Sequence, residues 1–327
     1  VRGDVAPSRS CEPAIPGMNA LGATGPTARL IERARRFLCN EAWNIGVVRQ
    51  TADDIVRRGI TGGVSWLAPP ARFTMLADPS CRLRPDGGAT WFAEYLDYRD
   101  ERGEIWAAEM PTGADPDTAR FAPMLAEPFH MSYPTPFADD SGAELLTAEI
   151  WPAEATLTWT EQDGGWRRAG ILFPGRPAVD PTLWRGEDRW WLFCTFRAEG
   201  PNDRLYLFHA KRLGDPWTPH RRNPVKIDPG SARPAGPIFK AGDVLVRPGQ
   251  DCSHTYGGAV VLHAIRRLDE DEFAEETIRR LEPVAGPYSA GLHTIAPAGD
   301  VTLIDGKKWE PDPMRVVRKL KTRIGVG

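Results

Sequence analysis

Short runs of β-branched, aromatic and aliphatic residues, cut by Gly, Pro, Asn and Asp, recur along most of this chain. TWFAEYLDY (90–98) and GEIWAAEM (103–110) flank Arg99–Arg102, the pattern of a β-hairpin. A second pair follows at ELLTAEIW (144–151) and ATLTWTE (155–161), and a third at RWWLFCTF (189–196) and RLYLFHA (204–210). DVLVRPGQD (243–251) with YGGAVVLHAIRRL (256–268), and GLHTIAP (291–297) with DVTLIDG (300–306), complete five pairs. Each of the first four is preceded by a short polar-marked segment: MLADPS, FHMSYPTPF, AVDPTLW and SARPAGPIF. The fifth itself begins GLHTI.

A spacing of about 50 residues is close to the period of a propeller blade. In a propeller every innermost strand runs beside the axis, so polar residues at the start of those strands converge at one mouth. The pattern predicts an all-β fold, a five-bladed β-propeller over residues 28–310. Its last blade has too few strands of its own, and NIGVVR (44–49) is expected to complete it. Residues 28–39 (ARLIERARRFLC) space apolar positions at helical intervals and predict a short N-terminal helix. Residues 1–27 read as a flexible arm and 311–327 as a basic tail. A β-sandwich or two small β domains are the competing architectures. No Gly/Ser linker divides the chain, and the apolar runs WLFCTF and LYLFHA suit strands buried on both faces.

Composition sharpens this picture. The 327 residues include 32 Gly, 31 Pro and 12 Trp, which favours short elements and aromatic surfaces over long helices. Net charge is −3 with the 41 basic residues spread through the chain, which argues against nucleic-acid and membrane-surface partners. No apolar run approaches the ~18 residues that span a bilayer. Five cysteines at irregular spacing, with no CxxC pair, suggest free thiols in a reducing compartment. Together with the lack of a signal-peptide apolar core, this places the protein in the cytoplasm as an expectation.

The candidate chemistry lies at the blade starts. Asp78 and Asp180 each precede Pro, which biases them towards extended backbone able to aim both carboxylates at the axis. Asp-Pro is also a common way to begin a turn. Glu149, Glu127 and His293 are alternative proton donors, the imidazole because it titrates near neutrality. His130 and His293 are taken as equivalent blade-opening residues, and neither supplies a metal-ligand pattern of its own. Arg233, Arg247, Gln250, Asp251 and His254 form the densest polar cluster. A guanidinium fork there suits an anionic sugar or sugar phosphate, and an ion pair such as Arg233 with Asp251 is the structural alternative. Trp66, Trp91, Trp151, Trp184 and Tyr256 are candidate stacking faces for sugar rings.

ADP (77–79), FHMSYP (129–134), VDPTLW (179–184), SARPAG (231–236), RPGQDCSHTYGGAV (247–260) and GLHT (291–294) carry a family resemblance. They resemble the family-43-like glycoside hydrolase propeller found at the N-terminus of plant glucosamine inositolphosphorylceramide transferases, over about residues 43–310. Similar domains occur in bacterial proteins near formyltransferases or sugar-polymer pathways. The resemblance implies a first-blade carboxylate at Asp78, a third-blade Asp-Pro at Asp180 and a fourth-blade Glu. Arg233 stands where that Glu is expected, a departure from two-carboxylate hydrolysis that suits phosphorolysis or transfer. No cofactor is expected from the residues themselves, and an axial calcium or water, like a histidine acid, enters by the same family analogy alone. Two functions remain open: an enzyme on a glycosidic bond, or a carbohydrate-recognition module serving a glycosyl- or formyl-transferase partner.

Overall fold

The computed structural model describes Arg35, residues 38–312 and residues 314–317. β1 (Cys39–Val48) and β2 (Val64–Trp66) flank the short helix α1 (Ala52–Arg58). Blade I follows as β3 (Thr74–Leu83), β4 (Ala89–Asp97), β5 (Arg102–Met110) and β6 (Ala122–Leu125). Blade II is β7 (His130–Ala138), β8 (Glu144–Trp151), β9 (Thr156–Gln162) and β10 (Gly165–Phe173). Blade III is β11 (Val179–Arg185), β12 (Trp190–Thr195), β13 (Arg204–Ala210) and β14 (Thr218–Pro219), with β15 (Lys226–Ile227) also on β13. Blade IV is β16 (Phe239–Ala241), β17 (Val244–Asp251), β18 (Ala259–Leu268) and β19 (Phe273–Leu281). Blade V takes β20 (Ile295–Ala298) and β21 (Val301–Pro311), then β1 and β2 from the other end of the chain.

The ring is therefore closed by antiparallel pairing of β1 with β21, from Cys39↔Pro311 to Val48↔Thr302. The expected closing strand is present and longer than NIGVVR. Cys39 opens it, so the last residue of the expected helix over 28–39 is strand. The rest of that helix, apart from Arg35 and Leu38, lies outside the described residues, as do the 1–27 arm and most of the tail. The helix not foreseen is α1, in the β1–β2 connection. Thr51 accepts from the Asp54 backbone N–H at 3.2 Å to start it, and Gly59 at φ 78° ends it.

The blades hold together because their inner strands bury both faces. Phe92 enters the apolar cluster shared by blades I and II, while its neighbours Trp91 and Ala93 enter the cluster shared by blades V and I. Leu192 and Cys194 pack towards blade II, and Trp191 and Phe193 towards blade IV. Period-two alternation thus sends successive residues to different junctions, and no face is left for water. That is why WWLFCT reads as unbroken apolar sequence.

Cys39, Cys81, Cys194 and Cys252 are all unpaired. Burial pushes the Cys81 thiol up to about 12 and raises Cys194 as well, so both are poor nucleophiles. A thiol titration should find five groups after denaturation, matching the five cysteines of the sequence, and slow reaction at Cys81 and Cys194 before it. Recovery of only one or three would reveal a disulfide. No helix of the described residues is long and apolar enough to cross a membrane.

Candidate active site

The first strands of blades I, II and III share one local device. Each carries a residue–Pro step, Asp78-Pro79, Tyr133-Pro134 and Asp180-Pro181, where the residue before Pro has φ of 51°, 50° and 49°. The ladder slips by one residue there: Ala77↔Glu94 is followed by Ser80↔Phe92, and Ser132↔Glu149 by Thr135↔Thr147. Asp78 and Asp180 are thus not extended, as Asp-Pro predicts, but left-handed inside a β-bulge that re-aims the side chain. Asp tolerates this backbone better than most residues, and a bulky Tyr does not. Tyr133 is held there by its hydroxyl, which lies 2.9 Å from Thr182 Oγ1 and accepts from the Gly236 N–H at 2.7 Å. Its ring consequently reaches from blade II to blades III and IV.

The second strands add the acids. Glu94 lies opposite Ala77 and Glu149 opposite Ser132, and the Asp305 N–H donates to the Thr294 carbonyl at 3.3 Å. Glu94 and Asp305 were not among the sequence candidates. Their signal is a lone acid in an otherwise apolar strand, TWFAEY and VTLID, which costs too much to bury without a purpose or a partner.

Asp78 accepts from the Tyr133 N–H at 3.2 Å and from the Thr294 hydroxyl at 3.0 Å. His293 Nε2 lies 3.2 Å from the same carboxylate, and its Nδ1 lies 2.6 Å from Asp305, so the imidazole sits between two acids. Asp305 also accepts the backbone N–H groups of Asp78, His293 and Thr294 at 3.1, 3.0 and 3.0 Å. Trp43 stacks on the imidazole at 3.9 Å. Across the axis, Arg233 grips Asp180 with two hydrogen bonds of 2.6 and 3.1 Å, and Gln250 donates a third at 3.1 Å. Glu149 pairs with Arg197 and lies 3.8 Å from Arg233, which also stacks on Tyr256 at 5.0 Å.

These contacts set the protonation states. Burial raises Asp78, and nearby Asp180 and Asp305 add to it against the opposing pull of His293, leaving it at about 6. Burial raises Asp180 to about 6 despite Arg233, with Glu149 contributing. Glu94 is pushed well above the ordinary carboxyl range by burial and then by Asp78 and Glu149. Burial would lower His293, but Asp305 and Asp78 outweigh it and favour the imidazolium.

The structure brings Asp78, Asp180, Glu149, His293, Arg233 and Gln250 into this one cluster. His130 reaches its edge, accepting from the Gly103 N–H at 2.8 Å with Nε2 3.6 Å from Glu94. It is not the counterpart of His293, since Tyr133 holds the bulge position of its strand. Burial and then Arg197 lower its imidazole to about 4, so it stays neutral.

Several other sequence candidates are engaged elsewhere. Arg247 is buried and spends its fork on Glu275 at 2.6 and 2.7 Å, and Asp251 is taken by Ser253 and Arg280. The Arg233–Asp251 pair does not form. His254 is exposed in the loop before Tyr256. Trp66 lies on the outermost strand of blade V against Tyr288 at 4.9 Å, and Trp184 packs into the blade III–IV junction. Both are set by inter-strand packing, away from the axial cluster. Trp91 is 3% exposed, and Glu127 accepts from Trp159 and Arg168.

Below Asp78 a cavity of about 40 Å³ is bounded by Ser80, Tyr133, Thr135 and Thr294, and the buried Ser80 hydroxyl has no protein partner there. It is large enough for water. The calcium that the family resemblance implies would fall on Asp78, His293 and Asp305, whose donor atoms lie within 4.8 Å of one another. Calcium takes six to eight oxygen ligands. One donor here is an imidazole nitrogen, and the carboxylate oxygens already accept four backbone N–H groups and a hydroxyl. These residues do not fit calcium, and the cluster's chemistry rests on its own protons.

Those protons give stability an unusual pH dependence. Asp78 and Asp180 rise from 3.8 to about 6, so each binds its proton more tightly folded than unfolded. Their contribution is full below about pH 4 and lost as pH rises through about 6, and raised His293 acts in the same direction. Urea midpoints should therefore fall from about pH 5 to about pH 7, with a shallower slope in Asp78→Asn. Burial would raise Glu275, but Arg247 outweighs it and holds it at about 2, so the trend reverses in stronger acid. A midpoint that climbs from about pH 5 to about pH 7 would contradict these protonation states.

Comparison with known proteins agrees with this architecture. Residues 100–282 match the family described as glucosamine inositolphosphorylceramide transferase 1, N-terminal. Glucosamine inositolphosphorylceramide transferase 1 of Oryza sativa subsp. japonica is 32% identical over 157 residues, covering 46% of this chain and 21% of that protein. The protein of that name from Arabidopsis thaliana is 31% identical over 214 residues, covering 63% and 27%. The matches thus span about a quarter of the length of these relatives. Among solved structures, one from the GH130 family of mannoside phosphorylases, which contains glycoside hydrolases targeting β-1,2 mannosidic linkages in Candida mannan, superposes with TM-score 0.51. It is 12% identical and covers 83% of this chain and 97% of its own, a likeness of fold. With more than half of its residues inside the family match, the chain belongs to the glucosamine inositolphosphorylceramide transferase 1 N-terminal family.

Proposed function

We propose that this domain acts on a glycosidic bond in its axial pocket, by hydrolysis or by glycosyl transfer. The observation that carries the reading is the pairing of Asp78, held at about 6, with Glu94 beside it, whose proton affinity burial and Asp78 raise well above that of an ordinary carboxyl. Glycosidic chemistry needs a base or nucleophile and a proton donor, and perturbed carboxyls at a concave site are the usual source. Asp78 is the base or nucleophile. Glu94 is a better donor than His293, whose two nitrogens both face carboxylates, or than Glu149, which Arg197 and Arg233 engage. Asp180, fixed by Arg233 and Gln250, orients the sugar and raises Asp78.

The alternative is a recognition module serving a transferase partner. It is favoured by Arg233 at the expected place of the fourth-blade acid, where it ties down Asp180. Arg233 also donates to Asn202 at 3.1 Å, so Arg197, 44% exposed, is the better contact for an anionic ligand. Incubation with glycan and sugar-nucleotide panels, read by mass spectrometry, decides between them. A released or transferred sugar supports the enzyme, and absence of any product across the panels favours the module.

A further inference from the structure

Trp151 ends β8 with its indole 47% exposed, an unusual state for so large an apolar ring. Its position is set by the strand. Leu146, Ala148 and Ile150 enter the cluster shared with blade I, so Thr147, Glu149 and Trp151 take the opposite face, towards blade III. Arg197, in the single 3-10 turn Arg197–Glu199 after β12, reaches both of the last two. Its guanidinium pairs with Glu149 and lies 5.0 Å from the centroid of the Trp151 ring. Directly across the ladder from Trp151 is His130, whose imidazole is 3.6 Å from Glu94. Trp151 is exposed and His130 partly so, whereas Glu149, Glu94, Asp180 and Asp78 are all buried.

We infer that Trp151 and Arg197 form a pyranose-binding platform at the pocket mouth. The free face of the indole takes the apolar C–H face of a sugar ring, and the unused N–H groups of Arg197 take its hydroxyls. The cation stack and the Glu149 pair fix the indole before ligand arrives, which lowers the entropic cost of binding. Trp91 is buried, and Trp66 and Trp184 are partly covered at the outer strand of blade V and the blade III–IV junction. Asp78 and Glu94 lie deeper, so a ring on the platform directs its linkage inwards to them. The inference rests on the axial pocket being a saccharide site.

The test uses the 327-residue chain and titrates methyl pyranosides of glucose, galactose, mannose and N-acetylglucosamine, with glucuronic acid, by saturation-transfer NMR. At least one probe should bind the wild type. Trp151→Ala should weaken that probe about tenfold or more, while Trp151→Phe, which keeps a ring, should lose only a few-fold. The melting temperatures should stay close to wild type, because the indole is half exposed. Equal affinity in Trp151→Ala, or no probe binding to wild type, overturns the platform. Asp78→Asn separates this from the catalytic reading. If it abolishes turnover while Trp151→Ala leaves affinity unchanged, the platform alone falls. If Trp151→Ala removes binding while no panel yields product, the platform stands and catalysis falls.

Discussion

Asp78→Asn should lower turnover by about three orders of magnitude while leaving ligand affinity within a few-fold of wild type, consistent with removal of an acid–base group. The substitution keeps shape and removes charge and basicity. Every contact of Asp78 in the folded protein is a donor: the Tyr133 N–H, the Thr294 hydroxyl and the His293 Nε2. An amide can offer oxygen to one side only, so its NH₂ must meet a donor on the other, at about 1–3 kcal/mol of stability. Turnover is therefore to be read below the melting transition of the variant. Glu94→Gln provides the partner measurement, since it retains a hydrogen-bond donor beside Asp78 but cannot give up a proton. It should lose about two to three orders of magnitude with a near-normal fold. Undiminished turnover in Asp78→Asn would remove Asp78 from the chemistry.

Arg233→Met should be the most destabilising single change in the pocket, by about 3–5 kcal/mol, because it strands a buried carboxylate. Asp180 is 2% exposed, and without Arg233 only Gln250 among its side-chain hydrogen-bond donors remains. Its proton affinity must then rise further, so the loss should be smaller at about pH 5 than at about pH 8, where Asp180 is forced to ionise. Adding Asp180→Asn to Arg233→Met should recover much of the stability. Urea unfolding of the four members of this cycle gives the coupling directly. Additive single effects would mean that the bidentate contact contributes nothing as a pair.

Architecture was legible because the blade period and the turn residues repeat, and because strands sandwiched between blades show as unbroken apolar runs. Asp78, Asp180 and His293 stand out in the sequence at blade starts, and Glu149 as an acid inside the second hairpin. Glu94 and Asp305 were hidden by position: they come from second strands, and only the pairing register carries them inwards. The bulges were hidden as well. A residue before Pro reads as extended, and the left-handed turn at Asp78, Tyr133 and Asp180 depends on the ladder slipping around it. Arg247 and Asp251 misled because charged side chains in a polar cluster look alike until their partners are known. Glu275 and Arg280, which claim them, both lie on β19, the outer strand of blade IV, and in no motif.

The closing of blade V has a consequence for how the molecule is made. β1 pairs with β21, and Asn40 donates to Asp312 across 272 residues of sequence. Among the described strands of the propeller, the first to be made is thus the last to find its partner, and contacts of such high sequence separation form slowly. Until then the growing chain carries two open ladder edges, each a template for the wrong strand of a neighbour. Once shut, the same arrangement places the beginning and the end of the described ring side by side. Joining them with a short Gly/Ser linker and cutting instead at the exposed Arg99–Asp100 turn would turn this late, long-range pairing into a local hairpin. Such a permutant should refold faster and aggregate less, with the axial pocket unchanged.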